Sequence, residues 1–522
     1  GGWRPLVSRG TLARAGLIIT GAFLASRVLG WLRVVVLSNL FGAEAELDAY
    51  YAAFRIPDLM FELVAAGAIT SALIPVLTNL IEHGERARAW RVASTVLNLM
   101  LGVLIAAAVM LWVLAPTLVP YLVPGFDAAT TELTIELTRL MLVSPILLAA
   151  GTIVTAILQT QNRFGATALA PVVYNASIIA CAILLEPALG IHGVAVGVVL
   201  GAAGFLLVQL PVLRGHFTYT PTADPSDPAA RKTFWLMLPR AIGMGANQIT
   251  FLVNTALATT VAVGAVVSYT VAFSVLQIPL GVIGLPLGIV LLPAMSRALA
   301  NDDEAEFGTM VVRALRLLLW IMLFVAAVTI VAREEVVDLL FGWGFDEAAL
   351  AATAAALGVF MLGLPAHGMN VILARAFYSG QDTITPVTVA IISVGVNVTI
   401  SVLTVDALGI QGLALGIAAG AWFEATTLTF LLRRRHPAMG VRSVVRGAVL
   451  SLGGAALAAV AAAVVLAWWQ TPDGWSRALD LVVLLTLVAV ASIVVYVLYS
   501  RLVRLPELPR SIDLFRSAVR GR

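Results

Sequence analysis

The sequence has few charged residues, one lysine and one cysteine. Charged residues make up 12% of its 522 positions, hydrophobic residues 60%, and the mean hydropathy is +0.99. These values lie outside the range of soluble globular proteins. Cys181 lies in an apolar run and is expected to be a small buried hydrophobe, so no disulfide framework or thiolate metal site is predicted.

Enzyme motifs are also missing. The sequence has no HExxH zinc motif, no GxGxxG fingerprint opening a βαβ unit, no phosphate loop and no acidic cluster in a polar loop. The residues therefore predict neither an enzyme nor a bound cofactor, and they leave coupling to Na⁺ or H⁺ open. The net charge of +3 gives no reason to expect nucleic acid as a partner.

Long apolar runs fill the chain instead, and fourteen of them are candidate membrane spans. The runs are continuous rather than alternating, which favours helices over a closed barrel. The fold class is therefore an all-α polytopic membrane protein. Basic residues gather in alternate loops, so the positive-inside rule places both termini in the cytoplasm. The basic amino terminus runs straight into a span without a cleavage site, so no removable signal peptide is predicted.

Internal repeats divide the chain. Residues 125–127 (GFD) recur at 344–346, and residues 189–197 (LGIHGVAVG) recur as LGIQGLALG at 408–416, both displaced by 219 positions. Weaker matches pair Gln161-Asn162 with Gln381-Asp382 and Ile56-Pro57 with Ile278-Pro279. The repeats predict two parallel six-helix bundles around a central cavity, followed by two extra helices. The predicted division is an N-terminal bundle at 1–213, a cytoplasmic linker at 214–233, a C-terminal bundle at 234–436, and two helices with a basic tail at 437–522.

The first two spans carry charges inside apolar sequence. An ionisable group in hydrocarbon costs roughly 2.5 to 3.5 kcal/mol, so such groups usually face a hydrated cavity or a partner. Arg27 and Arg33 are six residues apart and share a face only if the helix bends at Gly30, whereas Ser26 and Arg33 share a face. Two guanidinium groups suit a diphosphate. In the alternative, Arg33 snorkels to the interface and Arg27 pairs with a carboxylate across the bundle.

Arg55, Asp58 and Glu62 stack on one face of the second span, either as an ion-pair ladder or as part of a ligand site. Prolines are predicted to interrupt spans 2 and 8, as in transporter helices that line a binding site; they are Pro57, Pro75, Pro279, Pro286 and Pro293. Further polar candidates are Asn247, Gln248 and Asn254 in span 7, Asn397 and Ser401 in span 11, and Glu424 in span 12. Each could equally make an interhelical hydrogen bond, and Glu424, a lone carboxylate, is a candidate proton or cation site.

Five segments are distinctive: SRVLGWLR at 26–33, FRIPDL at 54–59, AILQTQNRFGATALAPVVYN at 156–175, NQITFLVNTALAT at 247–259 and FYSGQDTITPV at 377–387. Together they resemble the MurJ (MviN) lipid II flippases of the multidrug/oligosaccharidyl-lipid/polysaccharide exporter superfamily. The resemblance implies a fourteen-helix flippase in the bacterial cytoplasmic membrane. It would carry the polyprenyl-diphosphate-linked peptidoglycan precursor to the outer leaflet by alternating access, for cell-wall biogenesis and cell shape. Spans 1, 2, 7 and 8 would line the cavity, and spans 13 and 14 would hold the lipid tail.

Residue by residue, the resemblance implies that Arg27 and Arg33 are cavity arginines, Asp48 the acidic residue at the outer end, and Arg55 the basic residue of span 2. The sequence departs from the family pattern at two positions where arginines are usual, in spans 2 and 8, and at two where acidic residues are usual, in spans 1 and 11. Span 2 reads Phe61-Glu62, span 8 has Ser274, Val34 follows the second arginine of span 1, and span 11 has Asn397 and Ser401 in place of a carboxylate.

Other functions stay open. They are a flippase for another lipid-linked oligosaccharide, a cation-coupled exporter of amphiphiles, an intramembrane glycosyltransferase, and a transport-dead scaffold of wall synthesis. The expected partners are the glycolipid substrate and the bilayer, with wall-synthesis proteins left open, and a monomer is expected.

Overall fold

A computed structural model describes residues 9–64 and 68–509; within these ranges the side chains at 9–20, 22–24, 64, 68–71, 238–244, 246 and 247 lie outside the description. The described chain is built of helices and contains no strand. Its contacts divide it into two compact units, Gly1–Val267 and Ser268–Arg522.

Ten helices belong to the described part of the first unit. They are α1 (Arg9–Phe41), α2 (Ala45–Val64), α3 (Ala68–Glu82), α4 (Arg86–Leu122), α5 (Ala128–Met141), α6 (Val143–Thr160), α7 (Phe164–Leu189), α8 (Ile191–Leu207), α9 (Leu210–Leu213) and α10 (Pro228–Thr259).

Helix α11 begins at the end of the first unit and continues into the second. The remaining elements are α11 (Ala265–Pro279), a π-helical segment (Leu280–Gly284), α12 (Leu285–Ala300), α13 (Glu304–Val331), α14 (Arg333–Phe341), α15 (Glu347–Ser379), α16 (Ile384–Leu408), α17 (Ile410–Arg435), α18 (Val441–Trp468) and α19 (Arg477–Leu502).

Among the described residues, eleven helical segments are long and apolar enough to cross a membrane. Large apolar side chains on them are exposed, as at Val109 and Val113 of α4, which are both 60% exposed. Such surfaces suit contact with lipid. The all-helical membrane fold is confirmed, and the count of fourteen spans stays a prediction.

The interruptions of spans 2 and 8 differ from each other. In span 2, Pro57 and Pro75 lie inside α2 and α3, so the prediction that these prolines break the helix is wrong. In span 8, Pro279 ends α11 and the five-residue π-helical segment follows it. A proline removes a backbone donor, and a π-helical turn is one way in which a helix accommodates that loss.

The predicted repeat is present in the backbone. Asp127 and Asp346 each precede a helix, and their Oδ1 atoms accept hydrogen bonds of 2.8 Å from the N–H groups of Thr130 and Ala349. Gly190 and Gly409 have nearly identical conformations, with φ of +53° and +57° and ψ of −137° and −136°. Both pairs are displaced by 219 positions, as the sequence predicts.

The match between Gln161-Asn162 and Gln381-Asp382 was aligned one residue away from the correspondence that the backbone shows. The sequence pairs Gln161-Asn162 with Gln381-Asp382, but the two residues with positive φ at this turn are Asn162 (+59°) and Gln381 (+61°). Asn162 therefore corresponds to Gln381, again 219 positions away. Side-chain type was misleading because the turn fixes the backbone conformation and leaves the side chain free to vary.

The second of these turns is tied to the end of α17. Asp382 accepts hydrogen bonds from the N–H groups of Ile384 (3.0 Å) and Thr385 (2.9 Å), and it forms an ion pair with Arg435. Burial alone would raise the pKa of Asp382, but the hydrogen bonds from Thr385 and Arg435 outweigh it and hold the pKa at about 2.

The division at 214–233 stays a prediction. The compact units divide later, after Val267, because α10 packs against α2, α3 and α4 of the first unit. The segment before α10 runs along α4. There the Tyr219 hydroxyl donates to Asn98 Oδ1 (3.0 Å), and Asn98 donates to the carbonyl of Thr222 (2.8 Å).

Candidate functional site

Helix α1 carries the first of the predicted site residues, Ser26, Arg27 and Arg33. This helix passes through Gly30 without a break and packs there on α7, where a Cβ on Gly30 would lie 3.8 Å from Asn175 Oδ1. Ser26 and Arg33 are half-buried, whereas Arg27 is exposed. Among the three predicted anion ligands of α1, the structure thus buries Ser26 and Arg33 more than Arg27.

Arg33 occupies a polar aromatic environment. It lies near Tyr50, Tyr51, Tyr174 and Asp58. Within the described part of the chain, no carboxylate oxygen lies within 4.0 Å of its guanidinium group, since no ion pair forms there. The Arg33 guanidinium group therefore has no described carboxylate in direct contact, and its role as an anion ligand stays a prediction.

Arg55 of α2 is positioned by α10. Its Nε donates a hydrogen bond of 2.9 Å to Thr255 Oγ1, and its guanidinium carbon lies 5.3 Å from the centre of the Phe251 ring. One turn later on α2, Asp58 Oδ2 accepts a hydrogen bond of 3.3 Å from Gln248 Nε2. The polar face of α2 is thus held against one face of α10.

Glu62 does not extend this arrangement. It is half-buried, and among the described side chains no cation lies within 4.0 Å of its carboxylate. The predicted ion-pair ladder therefore does not reach Glu62. A pairing between Arg55 and Asp58 stays a prediction.

Asp48, at the start of α2, is fully buried and joins α2 to the residues after α10. Its Oδ2 accepts a hydrogen bond of 2.6 Å from the Gly264 N–H, and its Oδ1 accepts one of 2.8 Å from the Val267 N–H. Gly264 has a φ of +80°, and an added Cβ would lie 2.2 Å from the carbonyl oxygen of Ala43. A buried carboxylate needs such donors, and here backbone N–H groups supply them.

The remaining candidates of α10 differ in what the structure describes. Asn254 is fully buried in the interior of the first unit. Asn247 lies on α10 as predicted, but its side chain is outside the described residues.

In the second unit, Ser274 of α11 is half-buried, and its hydroxyl donates to the carbonyl of Val271 in the same helix (2.7 Å). Asn397 and Ser401 are buried on α16 where α17 comes close. A Cβ on Gly416 would lie 2.3 Å from Ser401 Oγ and 2.8 Å from the Asn397 carbonyl oxygen.

Glu424 lies eight residues beyond Gly416 on α17, about 12 Å along the helix. The described residues contain no cluster of His, Cys, Asp and Glu that could hold a metal ion.

Sequence reasoning missed three residues. Phe251 and Thr255 were not identified, although they follow Gln248 at spacings of three and seven and so share its helical face. Arg375 was not identified either; it lies in α15 against Gly288 of α12, where an added Cβ would lie 2.7 Å from its Nε. Its guanidinium group donates to the Val371 carbonyl (2.9 Å).

Comparison with known proteins places this architecture in a family. The family model described as "Lipid II flippase MurJ" matches residues 37–501, most of the chain. The chain belongs to the MurJ family. A MurJ lipid II flippase of Burkholderia cenocepacia is 29% identical over 437 residues, which are 81% of this chain and 84% of the relative. A probable MurJ of Bdellovibrio bacteriovorus is 28% identical over 492 residues, 92% of this chain and 94% of the relative.

Solved structures share the fold. A MurJ lipid II flippase in an inward closed conformation superposes with a TM-score of 0.78 at 20% identity, covering 93% of this chain and 99% of that one. An inward-facing multidrug resistance transporter of the MATE family, from the MOP superfamily, has a TM-score of 0.69 at 17% identity and covers 81% and 98%. The MurJ fold is therefore confirmed, and the MurJ family to which the chain belongs consists of transporters rather than enzymes.

Proposed function

We propose that this protein is a lipid II flippase of the bacterial cytoplasmic membrane. It carries the polyprenyl-diphosphate-linked peptidoglycan precursor from the inner to the outer leaflet by alternating access. The observation that carries the proposal is Arg33, a half-buried cation on an apolar helix with no described carboxylate within 4.0 Å. Membership of the MurJ family supports lipid II as the substrate.

A diphosphate needs cations that are fixed in place but not neutralised. Arg33 meets the second condition, and Arg55 meets the first, because Thr255 and Phe251 of α10 hold its guanidinium group. Arginine binds phosphate oxygens through planar, bidentate contacts, which a lysine ammonium cannot reproduce. We assign Arg33 the principal contact with the diphosphate, with Arg55, Arg27 and Ser26 as further ligands.

The energetics agree with this direction of transport. An inside-negative potential favours outward movement of an anion by about 2.3 kcal/mol per charge per 100 mV. A charged headgroup is costly to bury in hydrocarbon, whereas the apolar polyprenyl tail is not. The sugar and diphosphate can therefore cross in a hydrated cavity while the tail stays in lipid. We further propose that both termini are cytoplasmic, that fourteen helices form two repeats with two extra helices, and that the protein acts as a monomer.

An ion-coupled mechanism is the second candidate. Glu424 is a half-buried carboxylate of α17 without an ion pair among the described residues, and the superfamily fold is shared with a MATE transporter. If transport is coupled to Na⁺ or H⁺, Glu424, Asn397 and Ser401 are the proposed ligands. Replacing Glu424 with glutamine would then abolish the dependence of transport on the ion gradient.

Complementation tests the substrate. The resident lipid II flippase of a bacterial host is depleted, this chain is expressed, and lipid II exposed at the cell surface is measured. Wild type should restore exposure, Arg33→Ala should not, and Arg33→Lys should restore it partly, because it retains the charge but not the bidentate geometry.

The matched control is Arg88→Ala, which removes a half-buried arginine that already pairs with Glu85 and Asp227. It should transport like wild type. Failure of the inserted wild-type chain to expose lipid II would exclude this substrate, and full activity of Arg33→Ala would exclude the proposed role of Arg33.

A further inference from the structure

A basic cleft lies in the second unit. It forms where α13, the start of α18 and the residues after α19 meet, and it comprises two adjoining cavities of about 270 Å³ and 410 Å³ that share Arg316, Ser443 and Pro506. Five arginines line it: Arg313, Arg316, Arg442, Arg446 and Arg504.

Arg316 lines both cavities of the cleft. Its Nε is 2.5 Å from Oε1 of Glu507, which is 1% exposed, and its Nη1 donates to Ser443 Oγ at 2.7 Å. Gly447 leaves room for this contact, since an added Cβ would lie 2.8 Å from Arg316 Nε. The ion pair fixes the segment after α19 against α13 and neutralises Arg316.

The other four arginines are not neutralised. Arg313, Arg442, Arg446 and Arg504 are exposed, and none has a carboxylate oxygen within 4.0 Å in the described chain, which ends at residue 509. Helix α18 begins at the cleft, and its N-terminus adds a partial positive charge there. Four cations converging on one cleft favour an anionic ligand with several oxygen atoms.

The surface next to the cleft indicates where that anion comes from. Val445 lies between Arg442 and Arg446 on α18, and Val449 and Leu452 follow it at spacings of four and three. These three apolar side chains are 57%, 63% and 54% exposed. They form an apolar stripe that leads from the arginines along the helix. A ligand with a phosphate at one end and acyl chains at the other fits both surfaces, whereas a free phosphate uses only the arginines.

We propose that this cleft binds the phosphate group of an anionic glycerophospholipid whose acyl chains lie along α18. Basic clefts between membrane helices are a known way to hold such headgroups. Its residues are different from those proposed for the diphosphate of lipid II. With the topology expected from the positive-inside rule, its lipid belongs to the cytoplasmic leaflet.

Native mass spectrometry of the full chain in detergent tests the proposal, with phosphatidylglycerol as the probe and phosphatidylcholine for comparison. Wild type should bind one phosphatidylglycerol in preference to phosphatidylcholine. The triple variant Arg313→Gln/Arg442→Gln/Arg446→Gln should bind it roughly 100-fold more weakly, at about five-fold per arginine. These three side chains are exposed, and the Arg316–Glu507 pair is retained, so the variant should unfold at the wild-type temperature.

Arg501→Gln is the matched control, because Arg501 is an exposed arginine in the last turn of α19 that does not line the cleft. It should bind phosphatidylglycerol like wild type. If Arg501→Gln weakened phosphatidylglycerol binding as much as the triple variant, the effect would come from general surface charge and the proposal would be overturned. Unchanged binding by the triple variant would also overturn it. Displacement of phosphatidylglycerol by equimolar inorganic phosphate would assign the cleft to the free anion. Stronger displacement by a polyprenyl diphosphate would assign it to the transported lipid, and either result would also overturn the proposal.

Discussion

Replacing Asp48 tests the buried contact that joins the start of α2 to the residues after α10. The carboxylate is fully buried and accepts two backbone hydrogen bonds, of 2.6 Å from Gly264 and 2.8 Å from Val267. A hydrogen bond contributes roughly 0.5 to 1.5 kcal/mol with a neutral acceptor and roughly 1.5 to 3 kcal/mol with a charged one. Asp48→Ala should therefore cost roughly 1 to 6 kcal/mol, because it leaves two N–H groups without their acceptor.

Asparagine separates the hydrogen bonds from the side-chain volume. Asp48→Asn retains one carbonyl oxygen for one of the two N–H groups but turns an NH₂ group towards the other. We therefore expect Asp48→Asn to lie between wild type and Asp48→Ala in stability. Glu46→Ala is the control for the loss of a negative charge without the loss of buried hydrogen bonds. It removes an exposed carboxylate from the same helical turn and should change stability by less than about 0.5 kcal/mol.

Thermal unfolding of the purified proteins in one detergent, followed by circular dichroism, measures this order. The expected sequence of unfolding temperatures is wild type and Glu46→Ala, then Asp48→Asn, then Asp48→Ala. If Asp48→Ala unfolds at the wild-type temperature, the two hydrogen bonds do not stabilise the first unit and the reasoning is refuted.

Three further predictions concern other contacts. Asp382→Asn should lower stability at neutral pH but not near pH 2. The pKa of Asp382 in the folded protein, about 2, lies below the ordinary 3.8, so its stabilisation is present above pH 3.8 and is lost as the pH falls towards 2. Thermal unfolding of wild type and variant from pH 7 to pH 2 measures this difference. Gly125→Ala should cost at least about 1 to 3 kcal/mol in thermal unfolding, because its Cβ would lie 2.1 Å from a carbonyl oxygen of α10, whereas Gly165→Ala, with nothing within 4 Å, should not destabilise. Glu507→Ala should cost roughly 3 to 5 kcal/mol in the same assay, because it leaves a half-buried arginine without its partner, and an unchanged unfolding temperature would contradict this.

Many polar residues of the site could be predicted from the sequence, since helical spacing alone shows which of them lie on one face of a helix. Arg55 and Asp58 were identified on α2, and Gln248 and Asn254 on α10. The partner of Arg55 was not, because a threonine hydroxyl in an apolar helix gives no signal of its own. Only packing of α10 against α2 brings Thr255 within 2.9 Å of Arg55 Nε.

Periodicity and repetition in the sequence by themselves determined the helical membrane fold and the 219-residue repeat, because both depend on local backbone preferences and on the length of apolar runs. The tertiary structure decided how each charge is compensated. Asp48 meets backbone N–H groups, Arg316 meets Glu507 from the far end of the second unit, and Glu62 meets no described cation. Charge compensation depends on distances of a few ångströms between residues far apart in the chain, and one sequence does not contain those distances.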